Sequence, residues 1–302
     1  MDRAVADLTN ALLDMALPQP GEHVLDIGCG AGATVLELAA RVGPGGHVLG
    51  ADISDQSVAR ARQRIAEAGL RHVEVIVADV SAHPFAQNDF ELAFSRFGVM
   101  FFSDPQAAFA NVRRAIKPGG RLALAVFRSA SENPWPNGPL EAVRHLLPPI
   151  PTPGPEEPGP FSWADPTRAH RILEGAGFRE VSLTPVDPVI RLASTGQAAE
   201  AADFVMVLGP LTRVLPALSA PQREAVRAAR KGCSCRLQTG WCERAFEAVP
   251  GGLVLDSIDQ RDFGLDLGKV GFKAVVLDRF DGVQEDESCP VWPPAATVPA
   301  SS

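Results

Sequence analysis

Short, uninterrupted apolar runs alternate with amphipathic stretches along the first half of this chain, and that alternation constrains its fold more than any other feature. HVLDIG (23–28) reads as a short buried strand, mostly apolar and closed by glycine. ATVLELAARV follows, with Val35, Leu38, Ala39 and Val42 at helical spacing. HVLGADI (47–53) is a second strand. SDQSVARARQRIAEAG is a helix with Ser54 as its N-cap, Val58, Ala61, Ile65 and Ala68 as its stripe, and Gly69 as its end. VEVIVADV (73–80) gives a third strand, and FELAFSRFGVMF (90–101) contains a fourth. PQAAFANVRRAIKPGG predicts a helix with Pro105 in its first turn, stopping before Pro118; RLALAVF (121–127) is the fifth strand. Strands that are apolar on both faces need helices on both faces. Right-handed crossovers then give an α/β fold, a doubly wound and mostly parallel sheet. Ligands in such sheets bind beyond the carboxyl ends of the strands. Here those ends are residues 26–32, 52–53, 79–80 and 95–97.

The texture changes near residue 129. A Pro-rich insertion spans about 129–165. DPTRAHRILEGAGF then predicts a helix ended by Gly175 or Gly177, and REVSLTPV a strand. Residues 1–190 are expected to form a cofactor-binding domain, and 191–302 a helical and irregular C-terminal extension that completes it. Two helices are expected within 197–231, broken near Pro216 to Pro221. GLVLDSI (252–258) and FKAVVLDRF (272–280) compete for the last strand.

Composition excludes several function classes. The chain has 302 residues, 46% hydrophobic and 21% charged, enough to bury a core. A net charge of −8 leaves no basic footprint for nucleic acid. There is no apolar run of 18 residues for a membrane span. The start, MDRAVADLTN, has no apolar leader core, so a cytoplasmic setting is expected. Five cysteines, Cys29, Cys233, Cys235, Cys242 and Cys289, read as free thiols rather than a disulfide framework. Their spacing fits no zinc knuckle, and no histidine follows His170, so no metal is expected.

The first strand–helix turn carries the chemistry. GCGAGA (28–33) fits the dinucleotide pattern, with Asp52 at the distance of a ribose-binding acid. A nicotinamide-dependent oxidoreductase is therefore one reading. Asp26 argues against it, because a carboxylate beside this turn repels a pyrophosphate. S-adenosyl-L-methionine carries an ammonium and a sulfonium instead, which a carboxylate attracts. Asp52 then accepts from the ribose hydroxyls, Asp79 accepts from the adenine amino group, and Ile53 and Val80 sandwich the ring. The plainer roles are turn or cap residues for Asp52 and Asp79. For Asp26 the plainer role is orientation of its own loop through backbone hydrogen bonds.

VLDIGCGAG, GADIS, ADV, DFELAFSRFGVMFFSDP and AIKPGGRLALAVF, in that order over roughly residues 20–190, resemble a class I S-adenosylmethionine-dependent methyltransferase. The nearest flavour is the ubiquinone and menaquinone C-methyltransferase group. The resemblance implies a Rossmann-like fold and S-adenosyl-L-methionine as cofactor. It places Asp26, Gly28, Cys29, Gly30 and Gly32 around the methionine part of that cofactor. Asp52 and Ile53 fall at the ribose, Asp79 and Val80 at the adenine, and Ser95, Arg96 and Phe97 beside the transferring methyl group. It also implies a closing antiparallel strand pair. Two departures stand out. Only about twenty residues, none aromatic, precede the first strand, and the tail from about 232 does not look like the family.

The implied acceptor is a small, partly apolar molecule. Phe97, Met100, Phe101, Phe102, Trp135, Phe161 and Trp163 are candidate pocket walls, or core. His83, His145 and His170 are candidate bases, or surface residues; the chain has no tyrosine. Arg96 suits an acidic group on either ligand, or a salt bridge. A cofactor-binding paralogue without turnover is the reading from outside enzymes.

Overall fold

The strands assemble as expected into an open sheet with helices on both faces. The computed structural model describes residues 5–133, 144–149, 154, 156–187, 189–191, 215–226, 266–269 and 272–277. In chain order the elements are α1 (Ala6–Ala16), β1 (His23–Ile27), α2 (Ala33–Val42), β2 (His47–Asp52), α3 (Asp55–Glu67), β3 (Val73–Val77), β4 (Phe90–Arg96), α4 (Pro105–Ala115) and β5 (Ile116–Phe127). Then come α5 (Pro166–Gly175), β6 (Val181–Val186), β7 (Val189–Arg191), β8 (Asp266–Lys269) and β9 (Phe272–Leu277). The main sheet runs β3-β2-β1-β4-β5-β9-β6. β3, β2, β1, β4 and β5 pair in parallel, and β9 pairs antiparallel with both β5 and β6. β7 and β8 form a separate antiparallel pair.

FKAVVLDRF is therefore the last strand of the sheet, and 252–258 lies outside the described residues. The tail that looked irregular supplies the strand between β5 and β6. Of the helices expected in 197–231, only 215–226 is described: a 3-10 turn at Leu215–Ala217 followed by a helical run from 220. Ser219 starts that run, accepting from the Gln222 N–H at 3.4 Å.

One helix adds to the sequence reading, and three local readings need correction. The first residues form α1, which shows Leu8, Leu12, Leu13 and Ala16 to the sheet. Ala68 is exposed, because α3 ends at Glu67 and the chain turns through Gly69 at φ +67°. β3 stops at Val77, so Asp79 and Val80 sit in a turn. β5 starts at Ile116 rather than 121, with its register shifted between Phe90 and Leu92 where Pro118, Gly119 and Gly120 bulge out.

Two apolar clusters fill the faces. One holds Leu8, Leu12, Leu13, Val35, Leu38 and Val58 under α1, α2 and α3. The other centres on Phe109 of α4, whose ring meets Phe102, Trp163 and Phe178 edge-on. The end of the Pro-rich insertion is pinned to the chain after β4. The Met100 carbonyl accepts from Gly159 N–H at 2.9 Å and from Ser162 Oγ at 2.8 Å.

Arg121 of β5 fastens α1. Its Nε donates to the Ala16 carbonyl at 2.6 Å, Nη2 to the Leu17 carbonyl at 2.8 Å, and its two Nη atoms grip Glu22 at 2.7 and 2.8 Å. The pair is largely buried, so removing one partner strands the other. Arg121→Ala is expected to lower stability by about 2 kcal/mol in urea denaturation; a change within experimental error would show that α1 is held by its apolar face alone.

Candidate active site

The β1–α2 turn is built by glycines that serve three different purposes. Gly28, Gly30 and Gly32 all have positive φ, at +67°, +52° and +80°. A Cβ at Gly28 would lie 2.6 Å from Gly98 Cα, so the turn rests directly on the chain leaving β4. A Cβ at Gly32 would lie 2.9 Å from Ala61 Cβ, so this glycine lets α2 and α3 approach. A Cβ at Gly30 would meet nothing within 4 Å, and this is the open side of the turn. Gly28 and Cys29 both donate their N–H to the Ala51 carbonyl, at 2.8 and 3.2 Å, which ties the turn to β2.

Asp52, at the end of β2, completes that tie. Its Oδ2 accepts from Gly30 N–H and its Oδ1 from Ser54 N–H, both at 2.8 Å. Ser54 itself is the N-cap of α3, as the sequence predicts, accepting from Ser57 N–H. Each carboxylate oxygen of Asp52 retains acceptor capacity for a hydroxyl. Next to it Ile53 is 76% exposed, an apolar side chain offered to whatever lies above the sheet.

Asp26 is not at the mouth of the site but fully buried beneath the turn. β1 is central, and Asp26 pairs with Gly50 on one side and Phe94 on the other. Its Oδ2 accepts a short hydrogen bond from the Thr34 hydroxyl in the first turn of α2, not from loop amides. Its Oδ1 is buried without a hydrogen-bond partner. Burial pushes the carboxyl up to about 7, against the Thr34 bond and the Arg96 charge, and with a further push from Asp52. Cys29 packs inward against Gly50, and burial drives its thiol well above the usual range.

Asp79 is exposed and accepts from Ser81 N–H at 2.9 Å and Ser81 Oγ at 2.6 Å, which hold its carboxyl below the usual range. Val80 departs from expectation: its side chain turns into the core, so it does not face Ile53 across a ring. Ser95 is buried and donates to the Ile27 carbonyl at 2.8 Å, locking β4 to β1. Arg96 reaches Thr9 of α1 at 2.6 Å. Phe97 holds φ +71°, rare for a bulky residue, and stacks on Phe127 with ring centres 4.8 Å apart. Phe161 lies 6.0 Å beyond Phe127.

The remaining candidates disperse. Met100 and Trp163 are core, Phe102 packs on Phe109, Phe101 is exposed, and Trp135 lies outside the described residues. His83 packs on Phe85, His145 is exposed, and His170 pairs with Glu174 at 3.2 Å. Among the described residues no group of three or more metal-binding side chains occurs, and no helix is long and apolar enough to cross a membrane.

Sequence reasoning missed Thr34, Gly98, Arg64 and Asn111. Arg64 of α3 donates to the Ala31 carbonyl at 3.0 Å, holding the glycine turn from behind. Asn111 had a signal, a polar residue within the apolar stripe of Ala108, Phe109, Val112 and Ala115.

Residues 18–152 match the family model described as a methyltransferase domain. Over that segment the chain is similar to methyltransferases. Nocamycin O-methyltransferase from Saccharothrix syringae is 37% identical over 130 residues, 43% of this chain and 46% of that protein. Demethylmenaquinone methyltransferase from Listeria monocytogenes serotype 4a (strain HCC23) is 35% identical over 105 residues, 35% of this chain and 44% of that protein. The chain thus spans less than half the length of these curated relatives. The YcgJ protein from Bacillus subtilis shares the fold of the methyltransferase domain at a TM-score of 0.54 and 15% identity, over 92% of this chain and all of that one.

Proposed function

We propose that this methyltransferase domain binds S-adenosyl-L-methionine over the carboxyl ends of β1, β2 and β3. It transfers the methyl group to a small, partly apolar acceptor. The observation that carries the reading is Asp26 Oδ1, a buried carboxylate oxygen lacking a partner beneath the open Gly30 turn. An ammonium, directly or through a bound water, completes such a group; a pyrophosphate does not. Asp52 would hold the ribose hydroxyls, Ile53 would cover one face of the adenine, and Asp79 would meet its amino group.

Bound there, the cofactor supplies an electrophilic methyl carbon on sulfur. The residues of this chain then align the acceptor with that carbon and exclude water. Phe97, Phe127 and Phe161 make an aromatic wall beside the β4 end that suits an apolar acceptor. The relatives named for O-methylation and for a demethylmenaquinone support a small-molecule acceptor. A buried free thiol, Cys29, fits the reducing cytoplasm.

Isothermal titration with S-adenosylmethionine, S-adenosylhomocysteine and NADH tests the cofactor. Both adenosyl ligands are expected at micromolar Kd, about −8 kcal/mol, with no response to NADH. Asp52→Ala is expected to weaken them at least about tenfold. NADH binding without adenosyl binding would sink the reading. A methyl-release assay separates an enzyme from a binder without turnover.

A further inference from the structure

Asn111 lies on α4, which contributes no other residue to the site. It is buried, and a buried amide is costly unless its donors are satisfied. Both go to one turn: Nδ2 donates to the Val80 carbonyl at 2.9 Å and to the His83 carbonyl at 2.8 Å. Its Oδ1 accepts from Arg114 Nη2 at 2.7 Å, which fixes the orientation of the amide. The turn so held is the one that presents Asp79. Within it, Ala82 N–H and His83 N–H donate to the Asp79 carbonyl at 3.1 and 2.8 Å, and Ser81 orients the Asp79 carboxylate. Those bonds are local; the Asn111 bonds, together with the buried Val80 side chain, anchor the turn to the body of the domain.

We propose that Asn111 is a positioning residue for base recognition. It holds the 79–83 turn from behind so that the exposed Asp79 carboxylate accepts from the 6-amino group of the cofactor adenine. The inference rests on the cofactor reading above. Aspartate at 111 keeps the size of the side chain but turns an acceptor toward two carbonyl oxygens. The turn must then move, and Asp79 with it, while the Gly30 and Asp52 side of the site stays in place.

The test compares S-adenosylhomocysteine with S-inosylhomocysteine, which has a carbonyl oxygen in place of the amino group. A site built around one hydrogen bond discriminates strongly against a ligand that lacks it. The wild type is expected to prefer the adenosyl ligand by more than about tenfold. In Asn111→Asp that preference should collapse to within about twofold, through weaker adenosyl binding and nearly unchanged inosyl binding. Asn111→Ser, which keeps one donor and removes the clash, should fall between and serves if the aspartate variant does not fold. Asp79→Ala should collapse the preference without touching Asn111. If both Asn111 variants weaken the two ligands equally and keep the preference, the residue is structural only and the proposal fails. If Asp79→Ala keeps the preference, Asp79 does not read the base and the proposal fails with it. The Asp52 titration would in that case still stand as evidence for the cofactor.

Discussion

Asparagine at position 26 is expected to make the protein more stable at pH 8 and no more stable at pH 4. The native carboxyl titrates near 7 and the unfolded one near 3.8, because burial penalises the charge. Between those values the native state holds a proton that the unfolded state lacks. Stability then falls as pH rises, by about 1.4 kcal/mol per unit. It is fully present below the unfolded value and lost by the time pH passes the native one. Over about three units the loss is on the order of 4 kcal/mol. Asparagine, neutral at every pH, keeps the shape and the acceptor for Thr34. The difference between variant and wild type in urea denaturation should therefore grow from near zero at pH 4 to about 4 kcal/mol at pH 8. Arg96 and Asp52, the other charged groups acting on Asp26, are the same in both proteins. Parallel stability curves would show that the carboxyl is not held neutral. The same substitution should weaken adenosyl binding, so that stability is gained where function is lost.

Gly98→Ala is the second large effect, and its cause is steric alone. Gly98 has ordinary helical φ, so alanine costs no backbone strain there. Its Cβ, however, would lie 2.5 Å from the Ile27 carbonyl oxygen, 2.9 Å from Gly28 Cα and 3.0 Å from Ser95 Oγ. Two of these neighbours are backbone and the third is bonded to Ile27, so none can step aside cheaply. The expected cost is about 3 kcal/mol or more, with adenosyl binding lost beyond detection because the glycine turn itself must lift. A folded variant with wild-type affinity would mean that the turn and the β4 exit move independently.

The layer architecture was legible because continuous apolar strands and helical stripes report burial directly. Val35, Leu38, Ala39 and Val42 all face the core as spaced. α1 carries a weaker signal, because its apolar stripe of Leu8, Leu12 and Ala16 is confined to one short helix. β9 could not be chosen over 252–258, since strand order depends on contacts remote in sequence. Within the site, residue types at strand ends were readable; which way each side chain turns was not. Asp79 and Val80 are neighbours, yet one is solvated and the other is core. Asp26 was recognised as important, but its depth below the turn follows from the central position of β1, which only the assembled sheet reveals. The bond from Ser95 to the Ile27 carbonyl likewise appears only once β4 lies beside β1.

The place of β9 has a consequence for how the chain is made. β5 emerges from the ribosome early, with its far edge open, and the strand that covers this edge comes well over a hundred residues later. At about 5–20 residues per second that delay is on the order of ten seconds. During that interval Leu122, Leu124 and Val126 belong to an unprotected edge, and β6 has no partner to lie against. A nascent chain stalled before residue 272 should therefore depend on a chaperone, however well formed its first four strands already are.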